Sequence, residues 1–520
     1  MDYNIIISQI KGDRQARLLS HLTHTCLRLF DASILLDLRL SQGDQGPADD
    51  AAILAAMASV RLYHLGQKDA IFKSVAILEY LFKYSKHNYE ALLIVVQLYM
   101  YLGLGSLALD RFARLSIKNI QQASMTWIIF TRISKLHPWP LEIHPESQSR
   151  SVFDPLEELR KALAWHNRSG TLLNKALDRA ISRKQYLTVV SLLETQELLQ
   201  HGSSRQILEI ELRSARRLRG HLNEESSAFS TFPYVVDDNR DKETYPNYEP
   251  INQATSLELL PTVLPTLQSS KANWLLQEIC LERIDGRLIG DQKDAPVLGQ
   301  IDCLLNKPLL YDDGGVTPLE SRIRSVLKTL EETVRLSVAE LLSFERLHER
   351  LGYLEQQLKL LAVDINSSMP QLGPGFGDMK FGHTQYVPLW FAFHGMFTTV
   401  SLLYMMSKPL VLLLKKVSES ADWRKGVQQR IDELEKICDQ MRNDVHSRAV
   451  KQREEFQSSS FQQFLSGEIC SSSGDIAGEA IRNTVGAQMI DSFCAMVAES
   501  YADAYDGVLK SSAALLDQKR

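Results

Sequence analysis

The chain has 520 residues, of which 44% are hydrophobic and 23% are charged, as in a folded globular protein. This length exceeds what one compact core holds, so we expect roughly two to four domains or one solenoid. The 58 basic and 63 acidic side chains give a formal net charge of −5. That balance argues against a general nucleic-acid-binding surface.

The six cysteines are scattered along the chain, and no two of them form a C-x-x-C pair. This spacing argues against a disulfide framework and against a zinc knuckle, and it suits a reducing compartment. The segment MDYNIIISQIKGDRQ at the N-terminus lacks the basic stretch that begins a secretory signal. We therefore expect a cytoplasmic protein.

The first part of the chain alternates helical patterns with short turns. A polar loop precedes the helix AAILAAMASVRLYHL, and Asp49 or Asp50 is placed to cap that helix. Further upstream, His21, His24 and Cys26 form an H-x-x-H-x-C pattern. Two histidines on one helical face need further ligands to hold a metal ion, so we expect no metal site here.

A helical hairpin lies within residues 76–138. Apolar residues recur at i, i+3, i+4 and i+7 up to Gly103 and Gly105, which favour a turn, and the helical spacing then resumes. Along the hairpin the residue types follow the order large, small, aromatic, turn, alanine, aromatic. This is the order in the tetratricopeptide repeat. The residues expected to form the core of this repeat are Leu92, Val96, Tyr99, Gly103, Ala108 and Phe112. An ordinary antiparallel helix pair in an all-α domain is the alternative.

The preceding unit of the repeat is degenerate. Ser74, Leu78 and Leu81 lie about 34 residues before the corresponding positions of the hairpin, which is the period of this repeat. Lys86 replaces the proline that closes this unit in the consensus. Further along, His137-Pro138-Trp139-Pro140 ends one helix, a polar connector follows, and Asp154-Pro155 begins the next helix. We interpret His137 and His144 as surface residues.

A helix rich in arginine ends the first part of the chain. Its arginines are Arg205, Arg213, Arg216, Arg217 and Arg219. Their charges suit contacts with RNA phosphates or with an acidic partner. The alternative is a solvated face that forms salt bridges with Glu209 and Glu211.

Residues 221–254 are polar, contain three prolines and form the best candidate linker. They divide the chain into a tetratricopeptide-like helical repeat region at 1–220 and a C-terminal helical domain at 255–520. In that domain, residues 387–407 lack charged side chains, but their polar content favours a buried helix over a transmembrane one. No stretch alternates with a period of two. The chain is therefore predicted to be all-α, a superhelix of helical hairpins followed by a C-terminal α-helical domain.

The amino-acid sequence of the hairpin resembles that of a known family. The run LLIVVQLYMYLGLGSLALDRFARLSIKNIQ, followed by TRISKLHP, is similar to the non-catalytic auxiliary subunit of the N-terminal acetyltransferase complex NatB. A weaker resemblance returns at residues 376–378 and 386–391. In that family a long array of repeats precedes this region, which here begins near Phe72. The resemblance therefore implies that part of the N-terminal array is lacking.

The resemblance implies a scaffold subunit. Such a subunit binds the small catalytic GNAT subunit of NatB, which holds acetyl-CoA, and positions it at the ribosome to acetylate nascent chains beginning Met-Asp, Met-Glu, Met-Asn or Met-Gln. It implies no catalytic residue and no cofactor in this chain, and no binding to DNA or membrane. The alternative is a helical-repeat adaptor of another cytoplasmic assembly, in trafficking or the cytoskeleton.

The sequence lacks the loop with which a GNAT enzyme cradles the pyrophosphate of coenzyme A. That loop reads R/Q-x-x-G-x-G/A at the start of a helix. Gly103-Leu104-Gly105 has Met100 in place of the Arg or Gln, and the candidates that end at Gly375, Gly377 and Ala480 lack it too. We therefore predict that the chain is not an enzyme.

Overall fold

The computed structural model describes residues 12–36, 46, 48–118, 121–143, 151–221, 274–275, 278–279, 281–282, 317–338, 343–368, 390–416, 421–470 and 475–519. In these ranges the elements are helices, apart from one pair of three-residue strands. The prediction of an all-α fold is confirmed.

The helices fall into two blocks along the chain. The first block comprises α1 (Asp13–Leu36), α2 (Asp49–His64), α3 (Ala70–Phe82), α4 (Tyr89–Leu102), α5 (Gly105–Arg114), α6 (Gln121–Ser124), α7 (Trp127–Phe130), the 3₁₀ turn η1 (Ile133–Lys135), β1 (Leu141–Ile143), β2 (Ser151–Phe153), α8 (Pro155–Ser182), α9 (Tyr186–His201) and α10 (Ser203–Leu218). The second block comprises α11 (Pro318–Val338), α12 (Phe344–Ser368), α13 (Trp390–Lys416), α14 (Ala421–Gln457), α15 (Ser459–Cys470), α16 (Ile476–Val485) and α17 (Ala487–Lys519).

The predicted hairpin is formed by α4 and α5. The side chain of Asn88 caps α4 by accepting a hydrogen bond from the amide of Ala91 at 3.1 Å. Gly103 ends α4 with a φ of +76°, a left-handed conformation that glycine adopts at low cost. Helix α5 then begins at Gly105. The turn therefore lies at the glycines that the sequence indicated.

The positions of the repeat pattern lie in the interior. The buried residues among them are Leu92, Val96, Tyr99, Gly103, Ala108 and Phe112. The hydroxyl of Tyr99 donates a hydrogen bond to the Glu79 carboxylate at 2.6 Å, and Arg111 pairs with the same carboxylate at 2.6 Å. This ion pair ties α3 to α5 beneath the repeat aromatic.

Asp49 and Asp50 do not cap α2 from outside the helix, so that prediction is wrong. The helix begins at Asp49 itself, after Ala48. The carboxylate of Asp49 is buried and accepts hydrogen bonds at 3.0 Å from Ser85 and from Asn88. The acid therefore joins the start of α2 to the turn between α3 and α4.

The connector after His137 contains more structure than the sequence indicated. Strands β1 and β2 pair antiparallel, with Leu141 opposite Phe153. His137 is 2% exposed, so its interpretation as a surface residue is wrong. It packs against Gly105, where a Cβ atom would lie 2.7 Å from the His137 Cβ atom. His144 lies outside the described residues.

Helix α13 contains the described part of the uncharged stretch at 387–407. Its described side chains between Ala392 and Met406 are buried against the rest of the protein. In the described part of the chain, no helix is long and apolar enough to span a membrane. The prediction of a buried helix is confirmed.

The two blocks pack together around one hydrophobic cluster. Helix α17 contacts α3 and α5 of the first block. The Ser106 and Ser500 hydroxyls lie 2.7 Å apart, and the hydroxyl of Tyr501 donates to the carbonyl of Leu102 at 3.0 Å. Beyond residue 221, the predicted linker at 221–254 lies outside the described residues, and its boundaries stay a prediction.

Candidate docking surface

Helices α8 and α9 form a hairpin. The side chain of Asp154 caps α8 by accepting from the amide of Leu156 at 2.9 Å. Lys184, with a φ of +56°, lies in the turn that reverses the chain into α9. A hydrogen bond of 3.0 Å from Gln196 to Asn174 joins the two helices along their length. Helix α8 also packs against α10, which anchors the hairpin to the first block.

Helix α9 presents an apolar face to solvent. Within α9, Leu199 alone is fully buried. Leu187 is 88% exposed and Tyr186 is 71% exposed. The other exposed apolar residues of this helix are Val190, Leu193 and Leu198. At 100° per residue these five positions fall within one half of the helix surface, which we call the α9 face.

Charged residues border the α9 face. Exposed basic side chains lie near the tip of the hairpin: Lys175, Arg179, Arg183 and Lys184. Glu194 and Glu197 lie on α9 itself and are also exposed. An apolar centre with a charged rim is the usual anatomy of a protein–protein interface.

A smaller apolar stripe lies on α12. It contains Tyr353, Leu360 and Val363, which are about half exposed or more. The α9 face has more residues and greater exposure, and among the described elements α9 has few neighbours besides α8 and the adjoining α10. Since contiguous exposed apolar surface marks interaction sites, the α9 face is the leading candidate.

The sequence of α9 itself contains a signal for this face. Val189 and Leu192 are half-buried and Leu199 is buried, while the apolar residues beside them are exposed. Helix α9 is thus apolar over more of its circumference than packing against one neighbour requires. A helix of that kind is buried on several sides or covered by a partner.

The predicted arginine contacts divide into two groups. Arg205, Arg213 and Arg216 are half-buried on α10, and Arg205 pairs with Glu209 at 3.1 Å. Arg217 and Arg219 are directed into the protein. Arg217 is 5% exposed and bonds Glu282 at 2.6 Å, and Arg219 pairs with Asp154. A contact of any of these arginines with a partner or a ribosome stays a prediction.

A buried group of charges, which we call the junction cluster, joins the two blocks. Its members are Arg132, Lys135, Glu211, Arg217, Glu278, Glu282, Glu320 and His394. Arg132 and Glu320 form a pair at 2.9 Å, Lys135 reaches Glu278 at 2.9 Å, and His394 lies 2.9 Å from Glu320.

The environment sets the protonation of these groups. Burial disfavours the charged form of Glu320, but Arg132, His394 and Lys135 hold its pKa well below the usual value. Burial lowers the pKa of His394 to about 4, so the imidazole is neutral at pH 7. Burial raises the pKa of Glu211 to about 7, against the opposing effect of Lys135.

The described residues contain no cluster of histidine, cysteine or acidic side chains able to hold a metal ion. Gly103-Leu104-Gly105 lies in the α4–α5 turn against Phe393, and Gly478-Glu479-Ala480 lies inside α16. Neither stretch forms a loop that precedes a helix and opens toward a ligand. The glycine-rich stretch at 369–383 lies outside the described residues.

Part of the chain is similar to a known family. Residues 7–254 match the family described as the N-acetyltransferase B complex (NatB) non catalytic subunit. A Saccharomyces cerevisiae protein described as N-terminal acetyltransferase B complex subunit MDM20 is 30% identical over 152 residues, which is 28% of this chain and 18% of the yeast protein.

Two solved structures share the fold. A chain of the NatB acetyltransferase complex bound to a bisubstrate inhibitor matches 91% of this chain with a TM-score of 0.55 and 11% identity. A chain of the same complex bound to CoA and MES matches 95% with a TM-score of 0.53 and 11% identity. These matches cover 54% and 58% of the solved chains, so this chain spans just over half of their length.

The family is named for a non-catalytic subunit, which confirms the prediction that this chain is not the enzyme. The resemblance seen in the hairpin sequence is also confirmed, because residues 76–138 lie inside the matched range. Residues 7–254, just under half of the chain, are thus similar to the family of non-catalytic NatB subunits.

Proposed function

We propose that this chain is a scaffold that binds the catalytic subunit of a NatB-type acetyltransferase through the α9 face. The observation that carries the proposal is the exposure of five large apolar side chains on that face. Burial of apolar surface contributes about 25 cal/mol per Å², so a partner that covers this face gains affinity from it. The family is defined by its place in NatB, and the catalytic acetyltransferase subunit is therefore the occupant that we propose.

The exposed apolar residues and the neighbouring basic charges of the α9 face suggest how the partner is oriented. Leu187 and Tyr186 are the most exposed apolar residues and lie next to the basic tip of the hairpin. Large side chains that become fully covered on binding dominate the affinity of an interface, and the charges around them set orientation and association rate. We therefore propose that Leu187 and Tyr186 anchor the catalytic subunit and that the basic tip orients it.

The chemistry of the complex is assigned to the partner. In this proposal the catalytic GNAT subunit holds acetyl-CoA and transfers the acetyl group to nascent chains beginning Met-Asp, Met-Glu, Met-Asn or Met-Gln. We also propose that the complex works in the cytoplasm at the ribosome. The half-buried Arg205, Arg213 and Arg216 of α10 are the candidates for a ribosome contact, because Arg217 and Arg219 are engaged inside the protein.

Co-expression tests the proposal. The full chain is produced with the catalytic NatB subunit, and the complex is isolated by size exclusion and assayed on Met-Asp peptides and on Ser-starting peptides. We expect a 1:1 complex that acetylates the Met-Asp peptide alone, and no activity in this chain by itself. Separate elution of the two proteins at micromolar concentration would overturn the proposal.

A further inference from the structure

A small cavity lies within the junction cluster. Charged side chains line part of its wall: Lys135, Arg217, Glu278, Glu282 and Glu320. Ser214 of α10 and Thr398 of α13 also line it. The cavity is large enough for one water molecule.

Among the residues that the structure describes, two hydroxyl groups at this cavity have no hydrogen-bond partner. Ser214 is 2% exposed and Thr398 is 5% exposed, and the oxygen atom of each is unpaired. Ser401, which lines the same cavity, instead accepts a hydrogen bond from Arg217 at 3.1 Å. Buried polar groups are nearly always satisfied, and an unpaired hydroxyl is costly to bury. The two unpaired hydroxyls therefore indicate a third group that bonds them.

We propose that the cavity binds one water molecule, which joins the hydroxyls of Ser214 and Thr398 to the charged groups of the junction cluster. Water suits this wall because it donates two hydrogen bonds and accepts two, so it satisfies hydroxyls, carboxylates and an ammonium group together. A metal ion suits it less, because the carboxylates of Glu278, Glu282 and Glu320 are already paired with Lys135, Arg217 and Arg132.

The bound water links the two blocks of helices. Ser214 belongs to α10, which packs against α8 at the base of the docking hairpin, and Thr398 belongs to α13 of the second block. The water thus supports the position of the hairpin relative to the C-terminal helices. This inference is independent of which partner covers the α9 face.

A double-mutant cycle on the full chain tests the proposal. The variants are Ser214→Ala, Thr398→Val and the double variant, and the readout is the midpoint of thermal unfolding. If one water bonds both hydroxyls, each single variant lowers the midpoint by about 1–2 °C. The double variant is then lowered by no more than the larger single loss, because the first substitution already releases the water.

Thr399→Val provides the matched control. Thr399 is the next residue of α13, and its hydroxyl donates to the carbonyl of Gly395 at 2.7 Å. The changes in thermal midpoint caused by Thr399→Val and by Ser214→Ala should therefore add in their double variant. A midpoint that stays unchanged or rises in both Ser214→Ala and Thr398→Val would indicate a dry cavity and overturn the proposal, and so would additive losses. A crystal structure of the wild-type chain checks the same point, because it should show density for water within 3.2 Å of both hydroxyls.

Discussion

The ring of Phe393 lies 2.8 Å from the place that a Cβ atom would occupy on Gly103. The repeat turn of the first block is thus in direct contact with α13 of the second. We predict that Gly103→Ala lowers the free energy of unfolding by roughly 2–4 kcal/mol, since the alanine would have to adopt a positive φ and displace Phe393. Gly170→Ala is the control, because a Cβ atom there meets nothing within 4 Å inside α8. Calorimetry should show a thermal midpoint for Gly170→Ala at or above that of the wild type. Equal losses in both variants would contradict the close contact between Gly103 and Phe393.

A second prediction concerns the repeat aromatic. Tyr99→Phe removes the hydrogen bond that the fully buried hydroxyl donates to the Glu79 carboxylate. We expect a loss of about 1–3 kcal/mol in the free energy of unfolding, because bonds to charged acceptors are the stronger ones. Tyr89→Phe in the same helix is the control, since its hydroxyl bonds Glu90 at the surface. The free energies of unfolding are measured by denaturant titration. Equal losses in Tyr99→Phe and Tyr89→Phe would show that the buried hydrogen bond contributes little.

The buried carboxyl of Glu211 predicts a dependence of stability on pH. Its pKa is raised by burial from 4.5 to about 7 in the folded protein. Between these values the unfolded chain is ionised while the folded chain keeps the proton, so the stabilisation present below pH 4.5 is lost as the pH rises through 7. The loss amounts to roughly 3 kcal/mol.

Glu211→Gln cannot titrate and should lack this loss. The difference in thermal midpoint between Glu211→Gln and wild type should therefore shift in favour of the variant from pH 5 to pH 8. Glu209→Gln, two residues earlier on α10, is the control and should run parallel to wild type. A Glu211→Gln curve that also ran parallel to wild type would place the proton elsewhere in the junction cluster.

Arg217 and Arg216 are neighbours with different surroundings. Arg217→Ala leaves Glu282 buried without its bidentate partner, which should cost roughly 3–5 kcal/mol in the free energy of unfolding. Arg216→Ala at a half-buried position should cost less than about 1 kcal/mol. Thermal denaturation distinguishes them, and equal losses in Arg217→Ala and Arg216→Ala would show that the buried pair of Arg217 and Glu282 contributes little to stability.

The sequence was most informative where structure is local. The α4–α5 hairpin depends on spacing and on Gly103, and α8 begins at Asp154-Pro155, so short-range signals were enough to predict both. The buried role of Asp49 is not visible in local sequence, because its hydrogen-bond partners lie 36 and 39 residues away. The burial of His137 is likewise not visible in local sequence, because it depends on the tertiary contact with Gly105.

The junction cluster was beyond the reach of sequence patterns for the same reason. Arg132 and Glu320 are 188 residues apart, and no periodicity relates them. The charge pattern of α10 also does not predict which arginines are accessible. Arg216 is half-buried, whereas its neighbour Arg217 is buried. The α9 face was detectable in principle, but an apolar helix does not reveal which of its sides the fold leaves uncovered.

Docking on the α9 face is the central claim, and the most direct test is the affinity of the catalytic NatB subunit for surface variants, measured by titration calorimetry. Leu187→Glu places a charge at the most exposed apolar position of the face, and Leu360→Glu makes the same change on α12, where the leucine is 54% exposed. We predict that Leu187→Glu weakens binding by about 30-fold or more, as loss of an anchor residue does, and that Leu360→Glu leaves the dissociation constant unchanged. Wild-type affinity in Leu187→Glu, with or without a loss in Leu360→Glu, would contradict the assignment of the α9 face as the docking surface.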